Sequence, residues 1–166
     1  LALLDGTGLR VSEALALRWG PRGVMVGPEG GVVRVTEAKT STGIRDVPIG
    51  QRLAAVLIAH RQATEGSEGA LIFADPQGQA YSRHGAPRYG LRRVAKAAGV
   101  EGVAWHTFRH THATLLGTRP DVDAVTLAAR LGHADPAFTA RTYIHRDDDR
   151  ARALANLADD LRRSGR

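Results

Sequence analysis

Tyr143 stands near the C-terminal end of the sequence, and Arg10, Lys39, His106, Arg109 and His133 precede it in that order. Two guanidinium forks, one ammonium, two imidazoles and a phenol are a kit for breaking a phosphodiester without a metal. Arginine matches two phosphate oxygens with a planar fork and keeps its charge at any physiological pH. Imidazole can hold or donate a proton near neutrality. A free phenol has a pKa of about 10 and is a poor nucleophile at neutral pH, so it needs such neighbours.

The elements that must hold these groups can be read from periodicity and punctuation. Leu1 to Leu4 read as the last turn of a helix, and Asp5-Gly6-Thr7-Gly8 as a turn. Val11, Ala14 and Leu15 recur at helical spacing, which predicts a helix from about Arg10 to Arg18. Three short strands follow, at Val24–Val26, Val32–Thr36 and Arg45–Ile49, with Lys39 at the rim of the second hairpin. A helix through Leu53, Val56 and Leu57 ends near Gly66, and Leu71-Ile72-Phe73 reads as a buried segment. Ser82 is the expected cap of a helix closed by Gly99. His106 to Leu116 is expected to be helical, which puts His106 and Arg109 on one face. Asp121 or Asp123 caps the next helix, Gly132 stops it, and Pro136 starts another. Leu154, Leu157, Ala158 and Leu161 give a C-terminal helix one apolar face. The fold class expected is α+β, mainly α-helical, with a small three-stranded antiparallel sheet.

Bulk composition narrows the classes of function. The 166 residues fit one domain, and 43% apolar content supplies its core. Lys plus Arg number 23 against 17 acids, so the chain carries +6 and is expected to attract a polyanion such as nucleic acid. Cysteine is absent, which excludes disulfides, thiolate zinc sites and a Cys nucleophile, and suits the cytoplasm. No apolar run is long enough for a spanning helix. The chain begins with Leu in mid-pattern and reads as a fragment, residues 1–166 forming one domain. His106 and His110 have a metal-like spacing, but Thr107 occupies the place of the zinc-protease glutamate, so no metal is expected. His110 reads as a hydrogen-bonding core histidine.

The longer pattern is more specific. Thr7-Gly8-Leu9-Arg10-Val11-Ser12-Glu13-Ala14-Leu15-Ala16-Leu17 resembles the first signature of the tyrosine recombinases, the phage-integrase family. His106-Thr107-Phe108-Arg109-His110-Thr111 resembles the second, and Leu131-Gly132-His133 followed by Tyr143 resembles the third. The family's lysine lies on a hairpin between the first two, where Lys39 stands in Glu37-Ala38-Lys39-Thr40. Thr107 and Phe108 depart from the family's commoner acidic residue and leucine.

The resemblance implies a site-specific DNA recombinase that cuts one strand by attack of Tyr143 on phosphorus. The product is a 3′-phosphotyrosyl link and a free 5′-hydroxyl, with no cofactor and no ATP. Arg10 and Arg109 would neutralise charge on the phosphate oxygens, and His106 and His133 would hydrogen-bond them. His106 would also take the phenol proton, and Lys39 would protonate the departing 5′-oxygen. Arg34 and Arg45 compete with Lys39, and Tyr81 and Tyr89 with Tyr143; Glu13 stands outside the expected set. Family members dock a helix comparable to the one opened by Tyr81–Arg88 in the major groove, which makes Arg83, His84 and Arg88 implied DNA contacts. The implied partners are double-stranded DNA and like protomers forming a tetramer on two sites, in the cytoplasm at the nucleoid. A type IB topoisomerase-like enzyme and a DNA-binding module with a vestigial site are the competing expectations.

Overall fold

The computed structural model describes residues 1–37, 41–82 and 85–143. Two short helices, α1 (Ala2–Thr7) and α2 (Val11–Ala16), lead into strands β1 (Val24–Gly27), β2 (Gly30–Val35) and β3 (Arg45–Ile49). Helices α3 (Gln51–Ala63), α4 (Ala86–Ala97), α5 (Trp105–Gly117), α6 (Ala124–Leu131) and α7 (Pro136–Tyr143) follow. The strands form an antiparallel sheet in the order β1-β2-β3, which matches the expected fold class. Register aligns Val24 with Val33 and Val33 with Val47, so three valines lie in a row and are fully buried. Pro48 lacks the N–H a central strand needs, and it sits on β3, an edge strand.

The main core packs this valine row, with Val35 and Ile49, against Leu3 and Leu4 of α1 and Ala54 and Leu57 of α3. A second apolar cluster joins Ala113 of α5, Leu127 and Leu131 of α6 and Tyr143 of α7. Truncating a leucine in such a place to alanine costs about 2–5 kcal/mol. The hydroxyl-bearing Tyr143 is therefore held by the same packing that holds α5, α6 and α7 together.

Local details depart from expectation at three places. Helix α1 continues through Asp5–Thr7, because the Thr7 hydroxyl donates to the Leu3 carbonyl and Gly8, with φ 67°, ends the helix. Helix α2 stops at Ala16, and Leu17, still buried, takes an extended conformation in which its carbonyl accepts the Ile72 N–H. Helix α4 begins after Gly85 rather than at Ser82, whose carbonyl accepts the Gly85 N–H in a turn before the helix. Asp123, not Asp121, caps α6, accepting from the N–H groups of Val125 and Thr126. The C-terminal helix expected beyond Tyr143 lies outside the described residues.

Candidate active site

The site is assembled around helix ends. An α-helix leaves its last carbonyls unpaired, and that end attracts cations. Arg109, buried on α5, donates Nη1 to the Gly8 carbonyl at 2.8 Å and Nη2 to the Leu131 carbonyl at 2.7 Å. Gly8 closes α1 and Leu131 is the last residue of α6, so one guanidinium fork ties the two helix ends together. Arg45 of β3 takes the neighbouring orphan, donating Nε to the Arg130 carbonyl at 2.8 Å. The Arg130 side chain reaches back to the Gly6 carbonyl at 3.0 Å and the Pro48 carbonyl at 3.1 Å. Its Nε donates to His112 Nε2 at 3.1 Å, while His112 Nδ1 meets the Asp5 carbonyl at 2.7 Å. His112 must then be neutral, with its proton on Nδ1. Burial, the neighbouring Arg130 among other causes, lowers its pKa and agrees with that form.

Gly132 ends α6 with φ 68°, the left-handed conformation glycine adopts without strain. A Cβ there would also meet Arg45 Nη1 at 2.6 Å. Three arginines and this glycine thus fix the place from which His133 projects.

Glu13 is the anion of the cluster. Its carboxylate accepts the Arg10 backbone N–H at 2.8 Å and Arg10 Nη1 at 2.9 Å. It also accepts Arg45 Nη1 at 3.2 Å and Nη2 at 3.0 Å. The Glu13 and Arg45 side chains are 5% and 7% exposed, whereas Arg10 is 46% exposed. Arg10 is therefore anchored at its base by a buried carboxylate and still faces solvent. Burial pushes the Glu13 carboxyl up, but the hydrogen bonds and charge from Arg45 and Arg10 outweigh it and leave its pKa below the usual value.

A chain of rings completes the cluster. His106 and His110 meet edge to face with centroids 5.8 Å apart. The Tyr143 hydroxyl lies 2.8 Å from His110 Nδ1. On its other side Tyr143 stacks on His133, with centroids 6.4 Å apart and planes 17° from parallel. His133 Nδ1 is 2.8 Å from the hydroxyl of Thr139, itself fully buried. Gly117 at the end of α5 lets the Tyr143 backbone come close, since a Cβ there would collide with the Tyr143 carbonyl. Burial pushes the Tyr143 phenol above its ordinary pKa, with the Arg109 charge opposing.

Burial and the charges of Arg109, Arg10 and Arg45 bring His133 down to about 4. Burial, with Arg10 adding to it, brings Arg109 to about 10, still charged at neutral pH. The His133 ring is expected to titrate near 4 in the folded protein, not near 6.5, when followed by the NMR shift of its Cε1 proton. A midpoint above 6 would show that the three arginines do not act on it. The sign for stability follows from linkage: the unfolded chain binds the proton first as pH falls. This ring therefore costs stability progressively from about 6.5 down to about 4.

Of the side chains expected from sequence, Arg10, Arg109, His133 and Tyr143 are brought together, and His106 joins them through His110. Lys39, Arg83 and His84 lie outside the described residues, and Arg88 falls in the first turn of α4. Of the rivals of Lys39, Arg34 is engaged elsewhere, with Asp46 and the Pro21 carbonyl, while Arg45 lies in the cluster and is held by Glu13. His110 is not a core histidine. It is exposed, and it is the side chain bonded to the phenol. Glu13 and Arg45 also belong to the cluster, though sequence reasoning left them out. Glu13 lies three residues after Arg10 at the start of a helix, which was the signal for its role. Thr107 has a structural job, since its hydroxyl accepts the Ala104 N–H at 3.1 Å and helps to start α5. Phe108 packs against the main core.

This fold, a helical domain with a three-stranded sheet, is that of tyrosine recombinase catalytic domains. It resembles crystal structures of XerA recombinase (TM-score 0.68, 23% identity, 95% of this chain and 56% of that one) and of XerH bound to its difH substrate (TM-score 0.71, 23% identity, 93% and 44%). The model of the phage integrase family matches residues 1–150, and the chain belongs to that family. Among characterised relatives, tyrosine recombinase XerH of Campylobacter jejuni is 29% identical over 157 residues, 93% of this chain and 42% of the relative. Transposase A from transposon Tn554 of Staphylococcus aureus is 43% identical over 58 residues, 35% of this chain and 16% of that protein. The chain thus spans less than half the length of these relatives.

Proposed function

We propose that this chain is the catalytic domain of a site-specific DNA recombinase within a longer protein, cutting and rejoining strands through a 3′-phosphotyrosyl link to Tyr143. The observation that carries this reading is the meeting of one phenol, the His133 ring and the Arg109 charge at the junction of α1, α5, α6 and α7. Phosphoryl transfer gathers charge on the non-bridging oxygens, and preset donors stabilise it. Arg10, anchored yet exposed, and Arg109 supply the cations. His133, neutral at pH 7, accepts the Thr139 hydroxyl at Nδ1 and offers its Nε2–H to a phosphate oxygen. His106 serves as a second imidazole donor, and Lys39 as the acid for the 5′-oxygen. Arg83, His84 and Arg88 contact the duplex. The working assembly is a tetramer of like protomers on two DNA sites, at the nucleoid. XerH bound to difH and the Tn1549 integrase in complex with circular-intermediate DNA are similar in fold and were solved with DNA, which supports the choice of partner.

A nicked duplex tests the reading, because loss of the short 5′ fragment traps the covalent species. The full-length protein is mixed with a sequence-randomised pool of such duplexes, and DNA-linked protein is resolved on a denaturing gel. A covalent band absent in Tyr143→Phe is expected. A band that survives this change assigns the nucleophile elsewhere. No band from wild type leaves a DNA-binding module with a vestigial site.

A further inference from the structure

We propose that His110 is the group that takes the proton from the Tyr143 phenol, a role that rests on the strand-cleavage reading above. Proton abstraction demands first that donor and acceptor be in hydrogen-bond reach. His110 Nδ1 meets that demand at 2.8 Å from the hydroxyl. The His106 ring meets His110 edge to face, and the His110 ring in turn lies 5.9 Å from that of Tyr143, so His110 links His106 to the phenol. The His110 ring is exposed, which gives an abstracted proton a way out to water, while Tyr143 itself is buried.

Among the described residues, the charged and titratable groups around this imidazole are His106 and Arg109 on its own helix, Tyr143 on α7, and His133 across the tyrosine ring. The phenol, pushed above its ordinary pKa by burial, does not ionise unaided at neutral pH. In the step itself the phenol O–H bond breaks as Nδ1–H forms. The phenolate oxygen bonds to phosphorus, the bond from phosphorus to the 5′-oxygen breaks, and that oxygen leaves with a proton from Lys39. Nδ1 returns its proton to the phenolate in the reverse, joining step.

The test uses the full-length protein and the duplex sequence recovered from the nicked pool. His110→Ala is expected to slow covalent-complex formation at neutral pH by about 10²–10⁴-fold, the usual worth of a general base. The deficit should shrink as pH rises and the phenol ionises on its own, and free imidazole should restore part of the rate. His110→Asn keeps an acceptor for the phenol but takes no proton, and should be as slow as alanine. Asparagine at wild-type rate, or an alanine variant whose deficit is the same at every pH and indifferent to imidazole, overturns the assignment while the recombinase reading stands. Wild type without a Tyr143-dependent band removes both.

Discussion

Arg109→Lys is expected to lower the rate of covalent-complex formation about 10²–10³-fold and to destabilise the folded domain by about 2 kcal/mol. Both effects come from one geometric fact. The guanidinium spans the Gly8 and Leu131 carbonyls with two nitrogens of a single rigid fork. Lysine keeps the charge but brings one nitrogen, so one buried carbonyl at a helix end loses its donor. The α6 end then loosens, and His133, two residues past Leu131, moves with it. Arg10 provides the internal comparison. It is 46% exposed and, among the described residues, anchors no carbonyl of another segment, so Arg10→Lys should reduce the rate while leaving the urea midpoint nearly unchanged. Equal losses of stability in the two variants would show that Arg109 does not bind the helices together.

The parts of the molecule legible in the sequence are those whose signal is local. The valine-rich strands, the Asp123 cap, the Gly132 stop and the Pro136 start each announce themselves within a few residues. The start of α4 is not where its best local cap stands: the chain uses Ser82 in the turn before the helix, and the helix begins after Gly85 with a proline in its first turn. The cluster residues legible in advance were those carried by the family signatures. Arg45 was not, because its partners are far along the chain: the Arg130 carbonyl lies 85 residues away and Glu13 lies 32. No periodicity reports such contacts. Nothing local marks His110 as exposed: with a metal role unsupported, its sequence suggests a hydrogen-bonding core histidine, and only the packing of α5 shows that Arg109 turns inward while His110 turns outward.

Glu13→Ala should cost more stability than any other single change in the cluster, about 3–5 kcal/mol, the usual price of stranding a buried charge. The 7%-exposed Arg45 would lose its carboxylate, and Arg10 would lose both of its anchors. Against the roughly 5–15 kcal/mol that holds a domain together, that is enough to unfold a large part of the population on mild warming. The pH dependence has a fixed sign. Glu13 has a depressed pKa in the folded state, so its contribution is fully present above the ordinary carboxylate value and is lost as pH falls through the folded one. The gap in urea stability between wild type and Glu13→Gln should therefore be widest near neutrality and close in acid. Pairing the change with Arg45→Met discriminates the cause. If the penalty is the stranded guanidinium, Glu13→Leu with Arg45→Met recovers most of the stability, since an apolar pair can replace a buried ion pair at little cost. Cleavage should not recover with it, because Arg10 still lacks the carboxylate that fixes its backbone and its fork. A double variant as unstable as Glu13→Ala would mean that helix-end capping by Arg45 at the Arg130 carbonyl, rather than charge pairing, is what this corner of the fold depends on.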